Sequence, residues 1–207
     1  MAYWVLKYLN QGAVLAGFPK SKIKSWRYGK GERLAKEFPK KATVQFADKY
    51  KSRRELFDFV FNFEDALFVS SKVRTILESL EAPDLEFLPV SIKDHKGAIA
   101  AEDYFILNPI GTQDIIDMKK SDVVMDSLIE DEIFRIKKMV LQPKAVAKGS
   151  RLFRATNMPD LILIDDKVRS AFEKDGVTNY HLFKAEGWNG LDIGGVASED
   201  ESDDLTF

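Results

Sequence analysis

The sequence predicts an α+β fold, in which a mixed, mostly antiparallel sheet packs against two helices from a duplicated strand-helix-strand unit. Three observations support it. The chain is 45% hydrophobic and 12% aromatic, which is typical of a folded core. Strand patterns outnumber helical ones, and a strand-helix-strand pattern occurs twice. With 207 residues, the chain can bury roughly 70% of the surface that its unfolded form would expose.

Strand-forming patterns run along the whole chain. We predict strands at residues 3–9, 43–46, 56–61, 66–69, 85–92, 104–107, 115–118, 152–155, 161–164 and 180–183. Residues 132–141 suit both a helix and a strand, and we favour a strand. Asp94-His95-Lys96-Gly97 is typical of a hairpin turn, whereas residues 19–41 indicate an exposed, basic loop region.

Two short helices are predicted between pairs of these strands. The first has an apolar stripe at i, i+3, i+4 and i+7, formed by Val73, Ile76, Leu77 and Leu80. Ser70-Ser71 stands where an N-cap belongs. The second covers residues 167–174, with Asp165-Asp166 as its cap and Gly176 as its stop.

The two units align at an offset of 95 residues. Laying residues 62–90 over 157–185 gives six identities in 29 positions, and thirteen positions are apolar in both copies. Each copy alone is too small to close a core. We therefore expect a single globular domain over residues 1–195, either as one body or as two pseudo-repeat lobes at about 42–118 and 132–190. Residues 196–207 are expected to form an acidic flexible tail.

Composition excludes several classes of protein. The chain has no cysteine, which excludes disulfides, thiolate nucleophiles and cysteine-ligated metal sites. No apolar run approaches the roughly 20 residues that span a bilayer, and the N-terminus lacks the pattern of a signal peptide. We therefore expect no membrane association and a cytoplasmic location.

Motifs for chemistry are missing from the sequence. The two histidines, His95 and His181, stand alone, so no metal site is expected. There is no nucleophile elbow and no phosphate-binding glycine loop, and the acidic groups at 130–132 and 165–166 are typical of a solvated face and a helix cap. We predict that the protein is not an enzyme and has no catalytic, metal-binding or cofactor-binding residues.

Charge is segregated along the chain. Residues 1–54 hold 14 basic against 3 acidic groups, and residues 185–207 hold seven acidic groups and no basic ones. Because aromatic residues lie among the N-terminal cations, a nucleic-acid-binding module using residues 20–54 is the alternative function. A solvated lysine-rich face has the same composition, so nucleic acid is not our first choice of partner.

Four segments carry a resemblance to a known family. They are Leu67-Phe68-Val69-Ser70-Ser71-Lys72-Val73-Arg74, Leu85-Glu86-Phe87-Leu88-Pro89-Val90, Tyr104-Phe105-Ile106-Leu107-Asn108 and Leu152-Phe153-Arg154. In this order they resemble the bacterial immunity-protein family of polymorphic toxin systems, earlier catalogued as a domain of unknown function. The resemblance covers roughly residues 40–190 and consists of core and turn patterns.

The resemblance implies a non-enzymatic cytoplasmic protein, encoded beside a toxin, that binds and neutralises that cognate toxin. It carries over no catalytic residues. We expect the segments outside it to set partner choice, and a homo-oligomer is compatible with the sequence. The candidate partner-binding residues are Trp26, Arg27, Tyr28, Lys30, Arg33, Glu199, Asp200 and Glu201.

Overall fold

The structure, a computed structural model, describes residues 2–191. This part of the chain contains two helices, α1 (Ser71–Ser79) and α2 (Asp166–Lys174). Its strands are β1 (Tyr3–Tyr8), β2 (Val14–Leu15), β3 (Thr43–Gln45), β4 (Phe59–Asn62), β5 (Leu67–Ser70), β6 (Leu85–Lys93), β7 (Ile99–Pro109), β8 (Thr112–Gln113), β9 (Asp122–Met125), β10 (Ile133–Lys138), β11 (Leu152–Ala155), β12 (Met158–Asp165) and β13 (Tyr180–Lys184). The predicted α+β class is confirmed.

The strands form two large sheets and one ribbon. The first sheet has the order β2-β4-β5-β7-β6-β3 and the second has the order β13-β1-β12-β11-β8, while β9 and β10 pair with each other. Short parallel pairs lie at the sheet edges, β2 with β4, β3 with β6 and β8 with β11. The other pairs are antiparallel, so the sheets are mixed and mostly antiparallel, as predicted.

The two strand-helix-strand units share both topology and register. The helices α1 and α2 begin and end 95 residues apart, the offset found in the sequence. In each unit the two strands flank one antiparallel strand, β7 in the first sheet and β1 in the second. Ile106 pairs with Phe68 and Leu88, and Val5 pairs with Leu163 and Phe183, which are the same two positions 95 residues later. The boundaries of the two predicted lobes stay a prediction, and the second would need β1 from outside 132–190.

A central core is shared by the two units. Alternate residues of each sheet face it, together with one side of both helices, because successive strand side chains point to opposite faces. Its members include Leu67, Val69, Val73, Leu77, Ile162, Ile164, Val168 and Phe172. Residues of the 13–46 segment cover the other face of the first sheet, and residues between 115 and 146 cover that of the second.

The ends of the two helices are tied together by basic side chains. Lys72, in the first turn of α1, donates to the Gly176 carbonyl at 3.3 Å, just after α2 ends. Arg151 donates to the Leu80 carbonyl at the end of α1 at 2.9 Å, and to Asp165, the N-cap of α2, at 3.0 Å. Cations therefore meet the carbonyl end of each helix, where the helix dipole favours them.

Some local predictions differ from the structure. Residues 115–118 form one bridge, Ile116 with Leu141, and not the predicted strand. The apolar pair Ile115 and Ile116 is buried in the core, and this burial produced the strand-like pattern in the sequence. Residues 122–125 form a strand that the sequence did not indicate. Ser70 takes the N-cap position of α1, but its hydroxyl donates to Asp58 at 2.6 Å instead of capping the helix.

Candidate partner-binding surface

The histidines are packed against aromatic rings and lie in separate parts of the fold. His95 lies in the turn between β6 and β7 with its ring 5.3 Å from that of Phe46. His181 lies in β13 with its ring 4.5 Å from that of Phe183. Within residues 2–191, no group of three or more potential metal-ligating side chains is brought together.

Residues 20–54 are called the basic segment below. Two of its candidate residues make their contacts within the segment itself. Tyr28 is buried in the core with its ring stacked on Phe18, and their centroids are 4.0 Å apart. Arg27 bonds Glu37 through two nitrogens, at 2.9 and 3.0 Å, and Glu32 at 2.8 Å. These bonds, first from Glu37 and then from Glu32, raise the pKa of Arg27 above its usual value. Tyr28 therefore packs in the core, and Arg27 joins two glutamates of the same segment.

The other three candidates in this segment reach its surface. Lys30 forms an ion pair with Glu132 at 2.8 Å, and Arg33 lies 3.5 Å from Asp84. Trp26 is 61% exposed, which is unusual for so large an apolar side chain. Trp26 is thus the member of the set that offers apolar area to a partner.

A cleft of about 280 Å³ lies beside Trp26. Trp26 and Lys30 line it from the basic segment, while Glu64 and Asp65 line it from the β4–β5 turn and Asp160 from β12. Asp65 and Asp160 are equivalent positions of the two units, 95 residues apart. The cleft therefore lies where the basic segment meets both units.

A buried cation holds the basic segment in place. The guanidinium of Arg154 donates to the carbonyls of Tyr28 at 2.9 Å, Pro159 at 2.8 Å and Pro109 at 3.2 Å. Burial lowers the pKa of Arg154 to about 10, and the charge of Asp160 opposes this shift. One side chain thus joins the basic segment to β7 and β12.

The backbone of the basic segment also contacts the backbone of the turn that follows β7. Gly31 has a φ of +67°, and a Cβ at this position would lie 2.8 Å from the nitrogen and oxygen of Gly111. The Gly111 N–H donates to the Gly31 carbonyl at 2.9 Å. Glycine suits Gly31 because it permits both the positive φ and this close approach.

The β9–β10 ribbon is the second exposed feature next to this segment. On its inner side Ile133 and Ile136 are buried against the second sheet, which fixes the ribbon to the body. The pairing of its strands is irregular at two places, as β-bulges produce. Because Lys30 pairs with Glu132 at the base of the ribbon tip, the ribbon and the Trp26 cleft are neighbours.

The ribbon exposes several large apolar side chains. Leu128 is 92% exposed, and Phe134 is 69% exposed. Five of the nine large hydrophobic side chains exposed within residues 2–191 lie on the ribbon, and we call them the ribbon surface: Val124, Met125, Leu128, Ile129 and Phe134. Large apolar side chains exposed together on one element favour an interaction site in a soluble protein.

Hydrogen bonds restrain the backbone at the tip of the ribbon. The Asp126 carboxylate accepts the N–H groups of Leu128 at 2.7 Å and Ile129 at 3.0 Å. The Asn157 side chain donates to the Asp131 carbonyl at 2.9 Å. These bonds restrain the turn that exposes Leu128, which reduces the conformational entropy lost when a partner binds.

The ribbon tip is acidic. The strand β10 exposes the cations Arg135, Lys137 and Lys138, but residues 121–134 contain five carboxylates and no lysine or arginine. Of these, Glu132 pairs with Lys30, and Asp122 lies 3.7 Å from Lys137. Glu130 and Asp131 are exposed beside the apolar side chains. An apolar centre with a polar rim is the usual anatomy of a protein-binding patch.

Sequence reasoning identified Trp26 but missed the ribbon surface. It treated the acidic groups at 130–132 as a solvated face, and the strand that completes the ribbon, β9, was not predicted. The available signal was the apolar pair Leu128-Ile129 inside an acidic run, because such a run is not expected to be buried in a core. The remaining candidates, Glu199, Asp200 and Glu201, lie outside the described residues.

The nucleic-acid alternative finds less support in the geometry. Single-stranded binding requires aromatic faces on which bases can stack. Of the aromatics among the cations of residues 20–54, Tyr28 and Phe38 are buried, and the ring of Tyr50 lies under Lys49 and Arg53. Trp26 alone among them is exposed by more than half within the described residues.

The fold and the surface together define a two-sheet α+β protein whose ribbon, acidic at its tip, exposes apolar side chains beside an exposed tryptophan. Comparison with known families agrees with such a binding role. The chain belongs to the Immunity protein family (Imm11), whose model matches residues 8–187. The family points to a toxin-neutralising role, and immunity proteins are in general not enzymes. No curated protein matches the chain. Among the described residues, no helix has the length and hydropathy to cross a membrane.

Proposed function

We propose that this protein acts in the bacterial cytoplasm as an immunity protein, binding a cognate toxin and neutralising it without catalysis. Membership of the immunity family supports the biological role. The observation that carries the binding mechanism is the ribbon surface, because five exposed apolar side chains on one ordered ribbon give a partner an area to bury.

Trp26 extends the proposed contact area. It lies in the cleft next to Lys30, and Lys30 contacts the ribbon through Glu132. Exposed tryptophans are frequent among the residues that contribute most to binding energy. Arg33 lies in the same segment and is 66% exposed, so it belongs to the rim of the proposed contact. Glu199, Asp200 and Glu201 would add long-range attraction for a basic toxin.

The test is co-expression with the toxin domain encoded by the adjacent gene. We expect cells to survive when both proteins are made and to die when the toxin domain is made alone. A non-cognate toxin domain is the control, and it should kill in either case. Cells that die although this protein is well expressed would contradict the proposal.

Stoichiometry separates binding from catalysis. When the purified toxin domain is titrated with this protein, a stoichiometric inhibitor gives a loss of toxin activity that ends at equimolar protein and does not progress with time. An enzyme would continue to inactivate excess toxin at a small fraction of equimolar. Progressive inactivation would therefore refute the non-enzymatic part of the proposal.

A further inference from the structure

We propose that the ribbon surface docks on a cationic face of the partner, with Leu128 and Phe134 as the apolar anchors and Glu130 and Asp131 as the steering charges. This inference rests on the proposed function and names the contact within it. It commits to a basic protein surface as the occupant, because the turn at residues 126–132 has four carboxylates and no basic residue, and the exposed cations of the ribbon lie further along β10, from Arg135 onward.

The apolar anchors are exposed at a cost that folding does not explain. Ile133 and Ile136 already fasten the ribbon to the core from its inner side. Leu128, at 92% exposed, and Phe134, at 69% exposed, contribute little to that packing. Because the Asp126 carboxylate accepts the backbone N–H groups of Leu128 and Ile129, the turn that carries Leu128 is restrained before a partner arrives.

The steering charges are distinct from the structural ones. Asp126 accepts backbone N–H groups, and Glu132 pairs with Lys30, so both serve the ribbon itself. Glu130 and Asp131 are exposed at the tip. Their charges can therefore act on an approaching cationic surface, mainly by raising the association rate.

Binding to the catalytically inactivated toxin domain, measured by surface plasmon resonance, tests the two roles separately. The apolar variant is Leu128→Ala with Phe134→Ala, and its matched control is Ile99→Ala, an aliphatic residue that is 50% exposed on β7. The charge variant is Glu130→Gln with Asp131→Asn, and its control is Glu102→Gln with Asp103→Asn, an exposed acidic pair on β7. Asparagine suits position 131 because Asp131 has a φ of 60°.

We expect the apolar variant to raise the Kd by about 100-fold or more, mainly through faster dissociation. The reason is that two side chains that the partner would bury in the complex are truncated. The charge variant should slow association several-fold at about 50 mM salt and lose most of this effect at high salt. Both controls should bind like the wild type. Thermal melts should show all four variants folded, since every altered side chain is exposed.

The possible failures are distinguishable. If the wild type does not bind the toxin domain, the proposed function fails, and this inference fails with it. If the wild type binds and the apolar variant binds equally well, the function stands and the ribbon is not the contact. An unchanged association rate in the charge variant would refute a cationic partner face. If sedimentation shows a wild-type dimer that the apolar variant abolishes while toxin binding persists, the ribbon joins two copies of this chain instead, which also overturns the inference.

Discussion

Replacing Asp58 with asparagine tests how the two units are joined. Asp58 is 7% exposed, and its carboxylate accepts four hydrogen bonds in total, two from each unit. Ser70 and Lys72, at the start of α1, donate at 2.6 and 2.8 Å. Thr178, after α2, donates its N–H at 3.0 Å and its hydroxyl at 2.9 Å. We therefore expect this substitution to destabilise the whole molecule.

The expected loss of unfolding free energy follows from the hydrogen bonds that the asparagine side chain can still make. Its oxygen can face the donors of Lys72 and Thr178, and its NH₂ group can then donate to the hydroxyl of Ser70. The bonds thus remain but lose their charge assistance, which is worth about 1 kcal/mol each. Because the Lys72 side chain is 45% exposed, its contribution is discounted for solvent screening. The total is about 3 kcal/mol, or roughly 6–12 °C in Tm for a domain of this size.

The loss should depend on pH. Burial of Asp58 opposes ionisation, but hydrogen bonds from Lys72, Ser70 and Thr178 outweigh it and hold the pKa below the usual 3.8. Since the folded pKa is lower than the unfolded one, this stabilisation is present above the unfolded pKa and disappears as the pH falls through the folded pKa. The gap between wild type and variant should therefore be full at neutral pH and shrink below about pH 4.

Urea unfolding at neutral and acidic pH measures both effects. Asp103→Asn is the matched control, because it removes the same charge from an exposed aspartate whose carboxylate accepts only from Ser71 among the bonds found here, at 3.1 Å. The control should change the free energy of unfolding by less than about 0.5 kcal/mol. If Asp58→Asn costs less than about 1 kcal/mol, or if its cost grows on acidification, the reasoning about this junction is wrong.

Two further substitutions probe how the basic segment is attached. Arg154→Leu should lower the free energy of unfolding by about 2–4 kcal/mol, because it leaves three carbonyls without their donor, although removing a buried charge returns part of that cost. Chemical denaturation measures it, and a loss under about 1 kcal/mol would mean that the carbonyls find other donors. Gly31→Ala should cost about 2 kcal/mol or more, because the new methyl group meets Gly111 in addition to the strain of the positive φ. Gly97→Ala is its control, since Gly97 has a φ of +83° with no atom within 4 Å of the added Cβ, and it should cost only about 1 kcal/mol. Equal losses in the two glycine variants would show that the contact with Gly111 is not tight.

The scaffold was predictable from sequence because periodicity and burial specify it. The apolar stripe of α1 reappears as buried Val73, Ile76 and Leu77. The cap at Asp165-Asp166 and the stop at Gly176 predicted the position of α2 to within one residue. Periodicity could not show that β1 inserts between β12 and β13, because that pairing joins residues far apart in the chain.

The candidate surface was predicted only in part, for a physical reason. Charge and aromatic content drew attention to residues 20–54, but composition does not say which side chains face inward. Tyr28 fills the core, and Arg27 satisfies two neighbouring glutamates. The ribbon surface had the opposite problem, because exposed apolar residues such as Leu128 look like core residues until the fold shows that nothing covers them.

The correspondence between the two units shows which parts of the chain are additions to the scaffold. The strands β4, β5 and β6 and helix α1 have counterparts in β11, β12, β13 and α2. The 25–31 segment and the β9–β10 ribbon lie outside these paired elements, and Lys30 and Glu132 join them directly. Substitutions on these two additions can change the exposed surface without disturbing the central core, since that core is built from the paired units. An immunity protein that must match one particular toxin would gain from this separation, because specificity can then vary on exposed residues such as Trp26 and Leu128 while stability depends on other residues.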